Sequence, residues 1–333
     1  MRAASAQVST TSLRHAVTHR GRKQGAYHGQ LCDIVGTGGD SHNTYNVSTT
    51  SSIVASALLM MAKHGNNAST SKSGSADLLL AAQPSPNIAA TTAESLPCIY
   101  EHSNYAFLYA REWHTGMRHA AAVRKELPFR TIFNLLGPLS NPVHNSHLIE
   151  ARILGVAKKD MGLVFAESLR LSGAKKGFVV CGDEDLDELS CAGKTHVWML
   201  KHSPEGIIVD NFTVTPEDFG LQPHPLAHVA GGKTPAQNAV ILQSILDGSI
   251  DPNDPVLVFV LINTAALLVA SGICEADESS MGSGDDGAVV KERGPGGQRW
   301  KEGVRRARWC ISSGAAKREW EGFVKVTNEI KTA

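Results

Sequence analysis

Leu31-Cys32-Asp33-Ile34-Val35-Gly36-Thr37-Gly38-Gly39-Asp40 is a short apolar run that ends in glycines. It reads as a strand feeding a glycine loop, in which backbone N–H groups turn inward and approach a phosphate closely. No Gly-Lys-Ser/Thr closes the loop and the spacing is not GxGxxG, so neither common nucleotide fingerprint applies. Taken alone, the fragment is equally a tight turn. Its neighbours favour the phosphate reading. Asn46, Ser48 and Thr49 offer hydroxyl and amide groups at the start of a predicted helix over 53–62, a natural seat for an anion. Lys63 adds a positive charge at the end of that run, and Lys72-Ser73-Gly74-Ser75 opens another helix with small polar residues. Together these features point to a ligand with several phosphates.

Outward from this stretch, strand-like runs recur at 105–109, 151–156, 177–181, 197–200 and 207–209. Helical patterns occupy 117–127, 161–171, 236–246, 256–270, 300–312 and 315–328. Strands alternating with helices predict an α/β fold, with a sheet covered on its faces. The run 256–270 is interrupted by Asn263 and Thr264 and falls short of the roughly 20 residues that span a bilayer, so it reads as a buried helix. Segment 274–298 is rich in Gly, Asp and Ser and is expected as a flexible surface insertion, with Asp285-Asp286 a solvated turn.

The 333 residues include 32 Lys+Arg against 32 Asp+Glu, with 42% hydrophobic residues and mean hydropathy −0.12. Zero formal charge argues against a nucleic-acid groove, which needs clustered excess cations. From Met1 to Cys32 there is no acidic residue but there are five Lys/Arg. That bias fits a mitochondrial presequence, a frayed terminus or a wrongly assigned start. The six cysteines form no CxxC pair, which fits a reduced, cytoplasmic protein.

Two further stretches carry charge. Asp183, Glu184, Asp185, Asp187 and Glu188 follow a strand. On composition they are a solvated turn; beside a polyphosphate they suit Mg²⁺, which takes one or two carboxylates together with phosphates and water. His114, Arg118, Arg124 and Arg130 form a basic stretch. Each arginine alone reads as a surface charge, although a guanidinium also pairs bidentately with a carboxylate. No Ser/His/Asp or Cys/His arrangement stands out, which favours chemistry by positioning and charge stabilisation.

Six ordered motifs carry a resemblance. They are Asp33 to Asp40, Asn46-Val47-Ser48-Thr49, Lys63-His64-Gly65-Asn66, Lys72-Ser73-Gly74-Ser75-Ala76-Asp77, Arg130-Thr131-Ile132-Phe133-Asn134-Leu135-Leu136-Gly137-Pro138 and Leu186-Asp187-Glu188. In order and spacing the chain resembles the anthranilate phosphoribosyltransferases, and Gly294-Pro295-Gly296-Gly297 with 300–307 resembles their fungal branch. The resemblance implies the phosphoribosyl step of tryptophan synthesis, from anthranilate and phosphoribosyl pyrophosphate (PRPP). It implies a mixed, mainly parallel sheet of the nucleoside phosphorylase/phosphoribosyltransferase class, with a small helical domain. The expected division is a disordered or remnant segment 1–30, α/β parts 31–110 and 137–330, and a helical-domain segment 111–136.

By the same resemblance, Gly36, Thr37, Gly38, Gly39, Asp40, Asn46, Ser48, Thr49, Lys63 and Ser75 bind PRPP. Asn66 and Arg124 face anthranilate, with His64 and His114 along its access path. Two Mg²⁺ are expected, one on Ser48 and one on Asp187 and Glu188, and no residue is assigned as acid or base. A homodimer is implied, with neither membrane nor nucleic acid as partner. The sequence departs from the family pattern at Asn67, where the family has Arg, at Thr115 and Arg111, each in place of Pro, and in lacking several N-terminal helices. Two alternatives stand beside this reading: an impaired PRPP-binding remnant and a pyrimidine nucleoside phosphorylase.

Overall fold

The computed structural model describes residues 5–68, 72–117, 119, 132–230 and 233–330. Its centre is a sheet of seven strands in the order β3-β2-β1-β4-β5-β6-β7. They are β1 (Leu31–Gly36), β2 (Met60–Gly65), β3 (Tyr105–Tyr109), β4 (Ile149–Gly155), β5 (Lys176–Gly182), β6 (Thr195–Ser203) and β7 (Gly206–Val214). From β3 to β5 neighbouring strands are parallel, and β6 and β7 extend the sheet as an antiparallel hairpin. The mixed, mainly parallel sheet expected from the sequence is therefore present.

Strand residues alternate between two apolar layers, as the period of two requires. Ile153, Phe178 and Val180 join the large core, while Leu154, Val179 and Cys181 pack with Phe165 and Leu169 of α7 (Met161–Leu171). The large core is built around α9 (Pro255–Ser271), buried along nearly its whole length. Asp254 caps its start through Val256 N at 2.8 Å, Pro255 supplies a first turn that needs no N–H, and Gly272 ends it at φ 87°. Helices α2 (Val47–Ala55), α10 (Trp300–Ser312) and α11 (Ala315–Glu329) complete that layer, and α8 (Pro235–Leu246) lies beside α3 (Ser75–Ala81).

The helix expected over 53–62 is corrected. Helix α2 starts at Val47, and 60–65 is strand. The polar start folds as helix because its hydroxyls find local acceptors: Ser52 donates to Thr49 O at 2.6 Å and Ser56 to Ile53 O at 2.6 Å. Met60 and Met61 pair with β1, and 61–65 pair with β3. Tertiary pairing thus overrides helical propensity.

The basic N-terminal stretch, expected as disordered or a remnant, contributes α1 (Thr10–Arg20), which packs on α4 (Leu96–His102). Leu13 and Val17 are buried, and Arg20 donates to Asn104 Oδ1 at 2.7 Å and to Glu319 at 3.0 Å. Nor is Asp285 a solvated turn residue. Its carboxylate accepts from Arg305 at 3.2 Å and from Met281 N at 2.7 Å, which ties 274–298 to α10; only Asp286 is exposed.

Of the expected helical-domain segment, the structure describes α5 (Ala110–Trp113), a turn at Thr115–Met117 and α6 (Ile132–Leu139). The expected helix over 117–127 lies almost wholly outside the described residues, as do Arg118, Arg124 and Arg130. Among the described residues, no helix is long and apolar enough to cross a membrane. Replacing the fully buried Leu13 by Ala is expected to cost about 2–5 kcal/mol. Urea unfolding measures this, and an unchanged midpoint would show that α1 is not part of the cooperative fold.

Candidate functional site

Consecutive crossovers run from β1 towards β3 on one side and from β4 towards β5 on the other. The carboxyl ends of β1 and β4 therefore flank a topological switch point, where open α/β sheets leave a crevice. Gly36 and Gly155 end these strands as register partners. A Cβ on Gly36 would collide with the Asp187 carboxylate, and one on Gly155 with the Asp187 carbonyl. Two glycines thus let the acidic loop descend onto the strand ends. Gly38 and Gly39 follow at φ 67° and 77°, a left-handed backbone that side chains disfavour.

The glycine loop and the acidic loop are joined at several points. Gly38 N donates to Asp187 Oδ2 at 2.6 Å, Thr44 Oγ1 to Glu188 Oε2 at 3.2 Å, and His42 Nε2 meets the Glu184 carbonyl at 2.6 Å. From below, Asn263 of α9 accepts from Leu189 N at 3.1 Å and donates to Leu189 O at 3.0 Å. Its polar interruption of an apolar run was the sequence signal for this role; His42 and Thr44 gave none. Only part of the acidic stretch faces inward. Asp183 pairs with His196 at 2.7 Å, Asp185 with Lys158, and Glu184 accepts from Ser190 at 3.0 Å.

Burial, reinforced by the neighbouring Asp40, pushes the Asp187 carboxyl up to about 7. Glu188 is raised by the same desolvation and by Asp187. Lys63 is buried in β2 with its ammonium donating to Ile34 O at 2.7 Å, and burial lowers its pKa against the opposing pull of Asp33, Glu188 and Asp187. The lysine and both carboxylates therefore act on one another through charge. Ser48, Asp187 and Glu188 border one small cavity of about 10 Å³. Two carboxylates and a hydroxyl form an all-oxygen donor set that suits a hard divalent cation. Among the described residues, the group of three His, Cys, Asp or Glu side chains close enough to share a metal ion is Cys98, Glu101 and His102 on α4, all exposed.

Two polar helix starts converge beside this cavity. Thr49 Oγ1 donates to Ser75 Oγ at 2.8 Å, joining α2 to α3. Asn46 does not cap α2; its amide donates to Ser73 O at 2.8 Å, and its carbonyl accepts from Asn238 of α8 at 3.0 Å. Of the expected phosphate-side residues, the structure thus brings Gly36 to Asp40, Asn46, Ser48, Thr49, Lys63 and Ser75 to one end of the sheet.

On the other side, His64 and His114 are both buried, with their Nε2 atoms 3.2 Å apart. Burial lowers both pKa values; His64 is held down further by His114, Lys63 and Arg152. Their rings meet edge to face, with centroids 5.1 Å apart. Asn66 is exposed and accepts from Asn67 N at 2.9 Å, while Arg124 lies outside the described residues. Asn67 bridges the Tyr109 hydroxyl at 2.6 Å and Asp77 at 2.6 Å, and Arg111 lies over the Tyr109 ring at 5.9 Å.

A glycine loop closed over paired carboxylates at the switch point of a mainly parallel sheet marks a phosphate-handling α/β transferase. Residues 28–317 match the family model described as "Glycosyl transferase family, a/b domain". Within that class, the chain belongs to the anthranilate phosphoribosyltransferase family. It is 43% identical to the Schizosaccharomyces pombe anthranilate phosphoribosyltransferase over 90% of this chain and 75% of that protein. With the Saccharomyces cerevisiae enzyme identity is 36%, over 90% and 73% respectively. The S. cerevisiae structure in complex with PRPP and Mg superposes with TM-score 0.76 at 33% identity, covering 96% of this chain and 80% of that one. The Thermus thermophilus structure gives TM-score 0.73 at 34% identity, covering 94% and 83%.

The histidine pair makes stability depend on pH with a definite sign. Its folded pKa values lie below the usual value near 6.5, so the unfolded chain takes up protons first as pH falls. The pair's contribution is complete above that value and declines below it. Urea midpoints at pH 7.5 and 5.5 are expected to differ more in the parent chain than in His64→Gln; equal slopes would refute the assignment.

Proposed function

We propose that this chain transfers the 5-phosphoribosyl group of PRPP to the amine of anthranilate, releasing pyrophosphate, in tryptophan biosynthesis. The observation that carries the reading is the glycine loop seated on Asp187 and Glu188 at the ends of β1 and β4. It is supported by the PRPP and Mg complex of the S. cerevisiae relative and by another structure of that relative with 4-fluoroanthranilate.

In the reaction the C1–O bond breaks with its electron pair leaving on pyrophosphate. The amine lone pair forms the N–C1 bond, and the nitrogen then releases a proton. The amine is already a nucleophile, so positioning and charge stabilisation suffice without a strong base. Gly36 to Asp40 and the start of α2 would hold the pyrophosphate, Thr49 and Ser75 the neighbouring face, and Lys63 would balance charge. Two Mg²⁺ belong to this reading, one near Ser48 and one on Asp187 and Glu188; when bound, the cations neutralise charge on the leaving pyrophosphate. Asn66 and Arg124 are assigned to the anthranilate side. A homodimer, checked by light scattering, and a cytoplasmic location, supported by six unpaired cysteines, complete the proposal.

The test is loss of anthranilate fluorescence that requires both PRPP and Mg²⁺. Phosphate-driven cleavage of a pyrimidine nucleoside would replace this reading with a phosphorylase, and PRPP binding without turnover would leave a binding remnant. Asp187→Asn is expected to lower kcat/KM at least ~10-fold, since it weakens a direct cation contact. Apparent Mg²⁺ affinity is expected to rise between pH 6.5 and 8.0, because a carboxyl near 7 must lose its proton to bind the cation. Calorimetric titration with Mg²⁺ and pyrophosphate reads this without turnover; a flat profile would oppose it.

A further inference from the structure

Asp33 on β1 and Arg152 on β4 face each other as register partners, 0% and 2% exposed. Arg152 Nη2 donates to Asp33 Oδ2 at 3.0 Å. A buried ion pair is a poor source of stability, because desolvating both charges offsets their attraction. This one is also incompletely satisfied: Arg152 Nε and Nη1 have no hydrogen-bond partner among the described residues. The connections of the pair give it another use. Arg152 Nη2 also donates to the carbonyl of Pro138, near the end of α6. The second oxygen of Asp33 accepts from His64 N at 3.4 Å.

The chain leaves the sheet after β3 through Trp113 and His114 and returns through 137–141. Both passages are tied to the same place. His114 meets His64 at 3.2 Å, and the His64 ring also bonds the Gly137 backbone. Asn141 Nδ2 donates to Ala62 O of β2 at 2.9 Å. Pro138 is thus held by β4 through an arginine whose carboxylate partner also holds His64. The link from this set to the phosphate side is Lys63, which donates to His64 O at 3.3 Å and feels the Asp33 charge; none of the hydrogen bonds named here reaches the glycine loop or the start of α2.

We propose that Asp33 and Arg152 are a positioning pair, which fixes the returning passage at Pro138 against His64 and so sets the shape of the acceptor side of the site. The inference rests on the phosphoribosyl-transfer reading for what the acceptor is, and it assigns neither residue a contact with substrate.

The test compares Arg152→Lys and the double variant Asp33→Asn/Arg152→Gln with the parent chain. The double variant removes both charges together and leaves no lone buried ion. The KM for anthranilate is expected to rise about tenfold or more, the scale of a misplaced reacting group, while the KM for PRPP shifts less, and stays within about twofold in Arg152→Lys, where Asp33 keeps its charge beside Lys63. Arg152→Lys keeps the charge but ends in a shorter side chain, whose one nitrogen no longer reaches both Asp33 Oδ2 and the Pro138 carbonyl as Nη2 does, so it shifts the same KM in the same direction. Hydrogen exchange without substrate is expected to speed up at 137–141 and to stay unchanged at 36–40. A lower melting temperature with both KM values unchanged, or equal shifts in both, would overturn the proposal and leave a merely structural pair. If the parent chain does not consume anthranilate, the functional reading fails on that result. The exchange pattern then decides the pair by itself: acceleration confined to 137–141 upholds it, and acceleration everywhere overturns it.

Discussion

Close approach between Asp187 and two strand ends is the constraint on which the site depends. The acidic loop reaches the ends of β1 and β4 because Gly36 and Gly155 present no side chain there. Any Cβ at either position would lift the loop, and with it the Gly38 N–H bond to Asp187 and the small cavity shared with Ser48. The parallel register that makes these glycines partners is fixed far below, by apolar strand residues packed on α9 and α7. Core burial thereby sets where the carboxylates lie, through a sheet too closely packed to yield.

The polar groups buried in this region have a common pattern. Lys63, Asp33, Arg152 and His64 sit within adjacent strands, in a layer where apolar residues would fill the same volume. Burial lowers the pKa of Lys63 and of His64 and leaves two Arg152 donors unpaired, and buried polar groups of this kind cluster where chemistry is done. Their arrangement divides the site. Lys63 donates to Ile34 O and opposes the carboxylate charge on the phosphate side, while Asp33, Arg152 and His64 hold the two passages to the helical segment. One strand, β2, carries both halves through two consecutive residues.

Much of the fold was legible because it is local. The helices over 161–171 and 300–312 and the strand over 105–109 match the sequence reading residue for residue, 236–246 and 256–270 match within one residue at each end, and the strand read at 207–209 extends to 206–214. The failures share one cause. The run 53–62 looks helical by composition, yet its second half is claimed as strand by partners at 31–32 and 105–109. The segment 1–30, expected as disordered or a remnant, forms α1, whose Leu13, Ala16 and Val17 are buried and which packs on α4, some eighty residues away. Asp285 read as solvent-facing until Arg305 closed over it.

By itself the sequence determined the family, the glycine loop, the alternation that makes a mainly parallel sheet, and the chemical types gathered for phosphate and cation. These reside in short motifs whose backbone demands are met within a few residues. The tertiary structure alone decided that Gly36 and Gly155 admit Asp187 to the strand ends, that the Lys63 ammonium donates to Ile34 O, that His64 and His114 close on each other, and that Asp33 and Arg152 join the strands. Each of these contacts spans tens to more than a hundred residues of chain, and no local pattern encodes a partner at that distance. Asp187 stands out in the sequence through its motif, but its hydrogen bond from Gly38, across 149 positions, exists only once the sheet has formed.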